Sequence, residues 1–204
     1  MTILCQLNNL SHQYDNRWIF YKASLQIKKG ELLGIIGANG TGKTTLLRIL
    51  ASLEKPVHGT VSWKEKQTIG VLFPKSYLYN ELTVKENLLF FSDVHQIVDK
   101  KHRVDELLEL FQLQDIKDYF IKNLSKGYQQ RTAIARAVLP NPDFLLLDEP
   151  FDGLDEQSSF LLQEELKSLQ KQGITIVIVS HDLALVKKLC TRICTVKNQQ
   201  IQGA

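Results

Sequence analysis

The sequence of 204 residues predicts a single α/β domain, in which a parallel core sheet is accompanied by an antiparallel β subdomain and an inserted helical subdomain. Short apolar runs at 31–36, 144–147 and 174–179 are typical of buried parallel strands. Within residues 76–138, the period of the apolar residues changes to that of helices. We therefore expect one domain over 1–204, with a core formed by 1–75 and 139–204 and a helical insert at 76–138.

Composition places the chain among ordinary globular proteins and argues against several functions. The net charge of +3, from 25 basic and 22 acidic residues, is too small to indicate a nucleic-acid partner. No apolar run approaches the ~18 residues of a membrane span, and the N-terminus lacks the form of a signal peptide. The cysteines are odd in number and sit in apolar surroundings, so we expect small core residues in a reducing compartment. They are Cys5, Cys190 and Cys194.

The N-terminal segment predicts two strands, at 3–10 and 18–27, with a polar loop between them that contains Tyr14. The turn at 28–30 then leads into the first apolar run. This pair of strands begins the predicted antiparallel part of the fold.

The first apolar run ends in a glycine-rich loop, Gly37 to Thr45, that fits G-x-x-x-x-G-K-[ST]. A helix follows it, and strand, loop and helix are the context in which such a loop binds phosphate on bare backbone N–H groups. Lys43 is placed to reach the β- and γ-phosphates of a nucleotide, and the Thr44 hydroxyl to bind Mg²⁺. The candidate nucleotide contacts are Gly37, Asn39, Gly40, Gly42, Lys43, Thr44 and Thr45.

Tyr14, in its polar loop upstream of the phosphate-binding loop, is a candidate for stacking on the adenine of a nucleotide. A tyrosine capping the edge of a sheet fits the same pattern. Trp18 and Phe20 are competing aromatic residues.

The middle of the chain predicts strands near 60–63 and 68–73, followed by helices. Thr83 and Glu86 form a capping box that opens one helix, and residues 99–113 predict an amphipathic second one. Ser125 is the predicted N-cap of a helix to Val138. Gly127, in its first turn, leaves room for a phosphate to approach the helix dipole.

Polar residues follow each of the two remaining apolar runs. Asp148 and Glu149 come directly after 144–147, and His181 follows 174–179 after Ser180. Ligands of open α/β sheets bind at the carboxyl ends of the strands. Asp148 therefore fits a Mg²⁺ ligand, Glu149 a general base for water, and His181 a contact to the γ-phosphate.

Taken in order, these stretches resemble the ATP-binding subunit of an ABC transporter over essentially the whole chain. G-A-N-G-T-G-K-T resembles the Walker A loop, and L-S-K-G-Y-Q-Q-R the signature motif. L-L-L-D-E-P resembles Walker B with the catalytic glutamate, G-L-D the D-loop, and V-S-H-D the segment of the switch histidine. Tyr14 lies where the family has its adenine-stacking aromatic residue.

The resemblance implies an ATPase that binds ATP and Mg²⁺ and forms a head-to-tail dimer. In that dimer, ATP held by Lys43 of one subunit meets Ser125 and Gly127 of the other. A polytopic membrane subunit on a separate chain would be driven by closure and reopening of the dimer. The subunit would then be cytoplasmic, peripheral on the membrane through that partner.

Two departures from the family pattern stand out. Lys126 and Tyr128 replace a glycine and the glutamine of L-S-G-G-Q, and Pro74 stands where the Q-loop glutamine is usual.

Residues 79–83 and 148–151 are similar to the haem-exporter type used in cytochrome c maturation, and ABC-2-type exporters are about as similar. Import or export, and the substrate, stay open. An ATP-gated switch outside transport, or a P-loop kinase, are the alternative functions.

Overall fold

The computed structural model describes residues 2–203, which form nine strands and six α-helices. Two short 3₁₀ turns lie at Gln114–Ile116 and Ile121–Asn123. The strands are β1 (Ile3–Tyr14), β2 (Arg17–Lys28), β3 (Leu32–Ile36), β4 (His58–Trp63), β5 (Ile69–Leu72), β6 (Phe144–Asp148), β7 (Thr175–Val179), β8 (Arg192–Lys197) and β9 (Gln200–Gln202). The helices are α1 (Lys43–Leu50), α2 (Val84–Val94), α3 (Lys100–Leu110), α4 (Lys126–Val138), α5 (Glu156–Lys171) and α6 (Leu183–Leu189).

The strands form two sheets, and the predicted α/β class is confirmed. One sheet has the order β5-β6-β7-β3-β8-β9, parallel except for the final β8–β9 pair. The other has the order β2-β1-β4 and is antiparallel. Helices α2, α3 and α4 lie between β5 and β6 in the chain, within the range where helical periodicity was expected.

The larger sheet is buried on both faces, which explains why its central strands are apolar throughout. Because side chains alternate along a strand, Leu145 and Leu147 of β6 pack on the face covered by α4 and α5. Leu146 packs on the opposite face, with α1 and the antiparallel sheet. The sheet is therefore packed between two apolar clusters, which fix the positions of its strands and of their carboxyl ends.

The first strand is longer than the sequence predicts, and Tyr14 is its last residue rather than part of a loop. Pairing between β1 and β2 continues to Tyr14 opposite Arg17. Asp15 and Asn16, both at positive φ (45° and 62°), make the two-residue turn. The sequence does not predict this pairing, because the alternation of apolar residues ends before the strand does and the residues before the turn are polar.

The other elements agree with expectation to within a few residues. Thr83 and Glu86 form the predicted capping box, and Ser125 caps α4 by accepting from the Tyr128 N–H. Helix α3 is shorter than predicted, with Asp99 as its cap. The closing hairpin of β8 and β9 turns at Asn198 and Gln199. None of the helices described in residues 2–203 is long and apolar enough to cross a membrane.

Candidate functional site

Three of the segments that carry predicted site residues meet at the carboxyl edge of the parallel sheet. The phosphate loop leaves β3, Asp148 ends β6, and His181 follows β7, which lies between those two strands. Backbone hydrogen bonds extend the ladder past the strands, with the Glu149 N–H donating to Val179 O at 2.9 Å and the Ser180 N–H to Ile35 O at 3.1 Å. The three segments are therefore held side by side by main-chain pairing.

The phosphate loop closes around its own lysine. The Lys43 ammonium donates to the carbonyls of Gly37 at 2.8 Å and Ala38 at 3.2 Å, and Lys43 is only 7% exposed. Gly42, just before α1, has a φ of 100°, and a Cβ there would lie 2.2 Å from a methyl of Ile19. Only glycine fits that position, so the loop must pass over β2 as bare backbone.

A cavity of about 480 Å³ opens beside this loop. It collects the following predicted residues: Tyr14, Asn39, Gly40, Gly42, Lys43, Thr44, Thr45, Asp148 and Glu149. Ile19 and Pro74 also line it. Ile19 was not predicted, since its place in β2 gives no local signal of a ligand. The size of the cavity suits a nucleotide, since ligand cavities are typically ~300–1,000 Å³.

The donor set beside Lys43 fits a magnesium ion. Asp148 is 3% exposed, and within the described chain its Oδ2 is a buried atom without a hydrogen-bond partner. Burial raises the pKa of Asp148, opposed by a hydrogen bond from Thr44 and by the charge of Lys43, while Glu149 adds to the rise. Over residues 2–203, no cluster of three or more His, Cys, Asp and Glu side chains could hold a metal alone. Mg²⁺ would thus be shared by Thr44, Asp148, waters and phosphate oxygens, as this ion prefers.

Glu149 and His181 contact each other directly. Oε2 of Glu149 accepts from the backbone N–H of His181 at 3.2 Å and lies 3.0 Å from its Nδ1. Because a carboxylate only accepts, Nδ1 must carry the proton, which leaves Nε2 for another partner. Glu149 also has a φ of 48°, a left-handed conformation that costs roughly 1–3 kcal/mol outside glycine. Glu149 holds this conformation directly after β6, at the carboxyl edge of the sheet, and no local sequence pattern predicts it.

Of the three aromatic candidates, Tyr14 alone lines the cavity that Lys43 lines. Phe20 is fully buried in the core, so the structure rules it out as a stacking residue. Trp18 lines a separate cavity of about 260 Å³ beside Asn39, Gly40 and Thr41. Tyr14 is 44% exposed, and its hydroxyl donates to Glu54, a residue that sequence reasoning did not single out.

Ser125 and Gly127 lie at the start of α4 and do not line the cavity of Lys43, among the residues described. Gly127 packs closely on α5, where a Cβ would lie 2.5 Å from Ser158 Oγ. That contact is a sufficient structural reason for the glycine. Pro74, at the expected Q-loop position, lines the cavity, whereas Lys75 is not among the lining residues.

The fold and the site together define a phosphate-loop nucleotide-binding protein. A family model described as ABC transporter matches residues 20–152. A probable sulfate/thiosulfate import ATP-binding protein CysA of Chlorella vulgaris is 39% identical, over 98% of this chain and 89% of its own length. The ABC transporter ATP-binding protein NatA of Bacillus subtilis is 35% identical, over 96% and 86%.

Solved structures give the same result. A dimeric ATP-binding cassette in a post-hydrolysis state, bound to ADP and Pi, superimposes with a TM-score of 0.87 at 28% identity, over 98% of this chain and 97% of its own. The protein cbiO1 from Clostridium perfringens, part of the ABC transporter complex cbiONQ, gives 0.89 at 28% identity, over 98% and 87%. The chain belongs to the ABC transporter family, as an ATP-binding subunit with ATPase function.

Proposed function

We propose that the chain is a motor subunit whose cavity beside Lys43 binds Mg-ATP and hydrolyses it, with Glu149 as the general base. The observation that carries this proposal is the convergence of Lys43, Thr44, Asp148 and Glu149 on one cavity. A lysine, a hydroxyl and two carboxylates are the groups that phosphoryl transfer to water needs.

Each side chain has a role that follows from its position. Lys43 and the backbone of the loop hold the β- and γ-phosphates, and Thr44 and Asp148 hold Mg²⁺. When bound, the ion neutralises charge on the phosphate oxygens. Glu149 accepts a proton from the attacking water while the oxygen of that water forms a bond to the γ-phosphorus. The bond from that phosphorus to the β–γ bridging oxygen breaks, which releases ADP and phosphate.

Among the residues described, His181 does not line the Lys43 cavity, but it contacts Glu149, which does, and we assign it to the same water and phosphate. Its Nδ1 faces Glu149, so its Nε2 is available to contact a γ-phosphate oxygen. The side chain is 61% exposed, so it can reorient when nucleotide binds. Glu149 and His181 then form a pair in which each orients the other.

Ser125 and Gly127 would complete the site of a second copy of the chain. They stand at the N-terminus of α4, whose N–H groups and dipole suit a phosphate. Since they do not line the cavity of their own chain, a head-to-tail dimer is the arrangement that uses them. One solved relative that superimposes on this chain, the cassette bound to ADP and Pi, is itself a dimer.

We also propose that residues 76–138 form a helical subdomain that transmits closure of the dimer to a separate membrane-spanning subunit. The chain would then work on the cytoplasmic face of a membrane. One of the relatives described above carries import in its name, for sulfate/thiosulfate. An importer is therefore favoured over the haem-export type suggested by short sequence similarities.

The nucleotide site is tested by replacing Lys43 with alanine. A hydrogen bond to a charged group contributes roughly 1.5–3 kcal/mol, so Lys43→Ala should weaken Mg-ATP binding in calorimetry by well over tenfold. Lys64→Ala, at an exposed lysine, is the matched control and should bind as wild type does. Equal affinity of Lys43→Ala and wild type would refute the assignment of the cavity.

A further inference from the structure

Tyr14 lines the cavity beside Lys43, and its hydroxyl is held by a hydrogen bond. It donates to Oε2 of Glu54, 40 residues further along the chain. The ring of His12 packs edge-on against that of Tyr14, with centroids 5.0 Å apart. The aromatic face is thus held from its far end and from one side.

Glu54 is itself fixed to the helix that begins at Lys43. Its Oε1 accepts from Nε of Arg48 in α1, and its backbone N–H donates to the Arg48 carbonyl at 3.3 Å. Nε2 of His12 lies 3.5 Å from Oε2. Glu54 therefore connects the end of β1 to α1, which carries the phosphate loop at its start.

The protonation states suit a hydrogen bond from a phenol to a carboxylate. Burial and the hydrogen bond to Glu54 raise the pKa of the Tyr14 hydroxyl, opposed by the Thr45 side chain. Burial alone would raise the pKa of Glu54, but the hydrogen bonds from Tyr14 and Arg48 outweigh it, and that pKa is lowered. At neutral pH the donor keeps its proton and the acceptor its charge, so this link is a charge-assisted one.

We infer that Glu54 is a positioning residue for nucleotide binding, because it fixes the Tyr14 ring where the base of a nucleotide held by Lys43 would stack. This inference rests on the proposed function of the cavity. A tyrosine free to rotate must lose that freedom when a base stacks on it, whereas the link to Glu54 orders the ring beforehand. The link continues through Glu54 to Arg48, so it joins the ring, at the end of β1, to α1, which follows the phosphate loop.

The test is a double-mutant cycle of Tyr14→Phe and Glu54→Ala, with two ligands measured by calorimetry. Tyr14→Phe keeps the stacking ring and removes only the hydroxyl. Each single variant should bind Mg-ATP roughly two- to tenfold more weakly, the range for leaving one side chain to be ordered on binding. The double variant should be no weaker than either single one, because both remove the same link. None should bind magnesium tripolyphosphate, which has no base, more weakly than wild type does.

Two controls separate this inference from the function on which it rests. Glu65→Ala, at an exposed glutamate paired with Lys29, should leave both ligands unaffected. Lys43→Ala should weaken both ligands, which tests the phosphate site independently of Tyr14. The role of Glu54 is overturned if Tyr14→Phe binds Mg-ATP as wild type does, if the two losses add, or if tripolyphosphate binding weakens in parallel.

Discussion

Replacing Glu149 with glutamine should separate ATP hydrolysis from ATP binding. Glutamine keeps the size of the side chain and an oxygen that can accept from the His181 N–H, now 3.2 Å from Oε2. It loses the negative charge that, in the proposed mechanism, takes a proton from water. In the proposed site the phosphates would be held elsewhere, by Lys43 and by the loop whose carbonyls accept from its ammonium. The change should therefore act on the chemical step and leave affinity for Mg-ATP unchanged.

The loss of a general base typically costs ~10²–10⁴-fold in rate, which corresponds to roughly 2.7–5.4 kcal/mol in the activation free energy. Phosphate release at saturating Mg-ATP measures this loss, and calorimetry measures affinity. Glu164→Gln, at an exposed glutamate paired with Lys167, is the control and should retain full turnover. If Glu149→Gln turns over within tenfold of wild type, Glu149 is not the base.

Two further predictions concern buried carboxylates. Asp148→Asn should lose the Mg²⁺ dependence of ATP binding, seen as equal affinity with Mg²⁺ and with EDTA; a retained dependence would exclude Asp148 as a ligand. Burial raises the pKa of Glu165 to about 7, opposed by Arg131 3.8 Å away. An acid whose folded pKa is raised contributes stability below its unfolded pKa that is lost as pH rises to the folded one. In urea titrations, the unfolding free energy of the wild type should therefore fall by about 2–3 kcal/mol more than that of Glu165→Gln between pH 5 and pH 8. Parallel pH profiles of the two proteins would contradict this.

The parts of the structure that sequence alone predicts are those encoded locally. The capping box at Thr83 and the Ser125 cap each depend on residues within a few positions. The convergence of Lys43 with Asp148 also follows from local elements, since parallel strands bring their carboxyl ends to one edge.

The parts that sequence does not predict depend on pairs that are distant in the chain. Glu54 binds Tyr14 across 40 residues, and Glu149 contacts His181 across 32. Nothing around either carboxylate in the sequence identifies its partner, because those pairs exist only once the sheet order is set. The positive φ of Glu149 is likewise imposed by tertiary structure.

The central claim is that one ATP site is built from the Lys43 cavity of one chain and the Ser125 segment of another. Its most direct test is the mass of Glu149→Gln by light scattering after gel filtration, with and without Mg-ATP. The protein should be monomeric without nucleotide and dimeric with it, and adding Ser125→Arg to the same chain should keep it monomeric while ATP still binds. A Glu149→Gln protein that stays monomeric with Mg-ATP bound, or a Ser125→Arg double variant that dimerises equally well, would contradict the shared site.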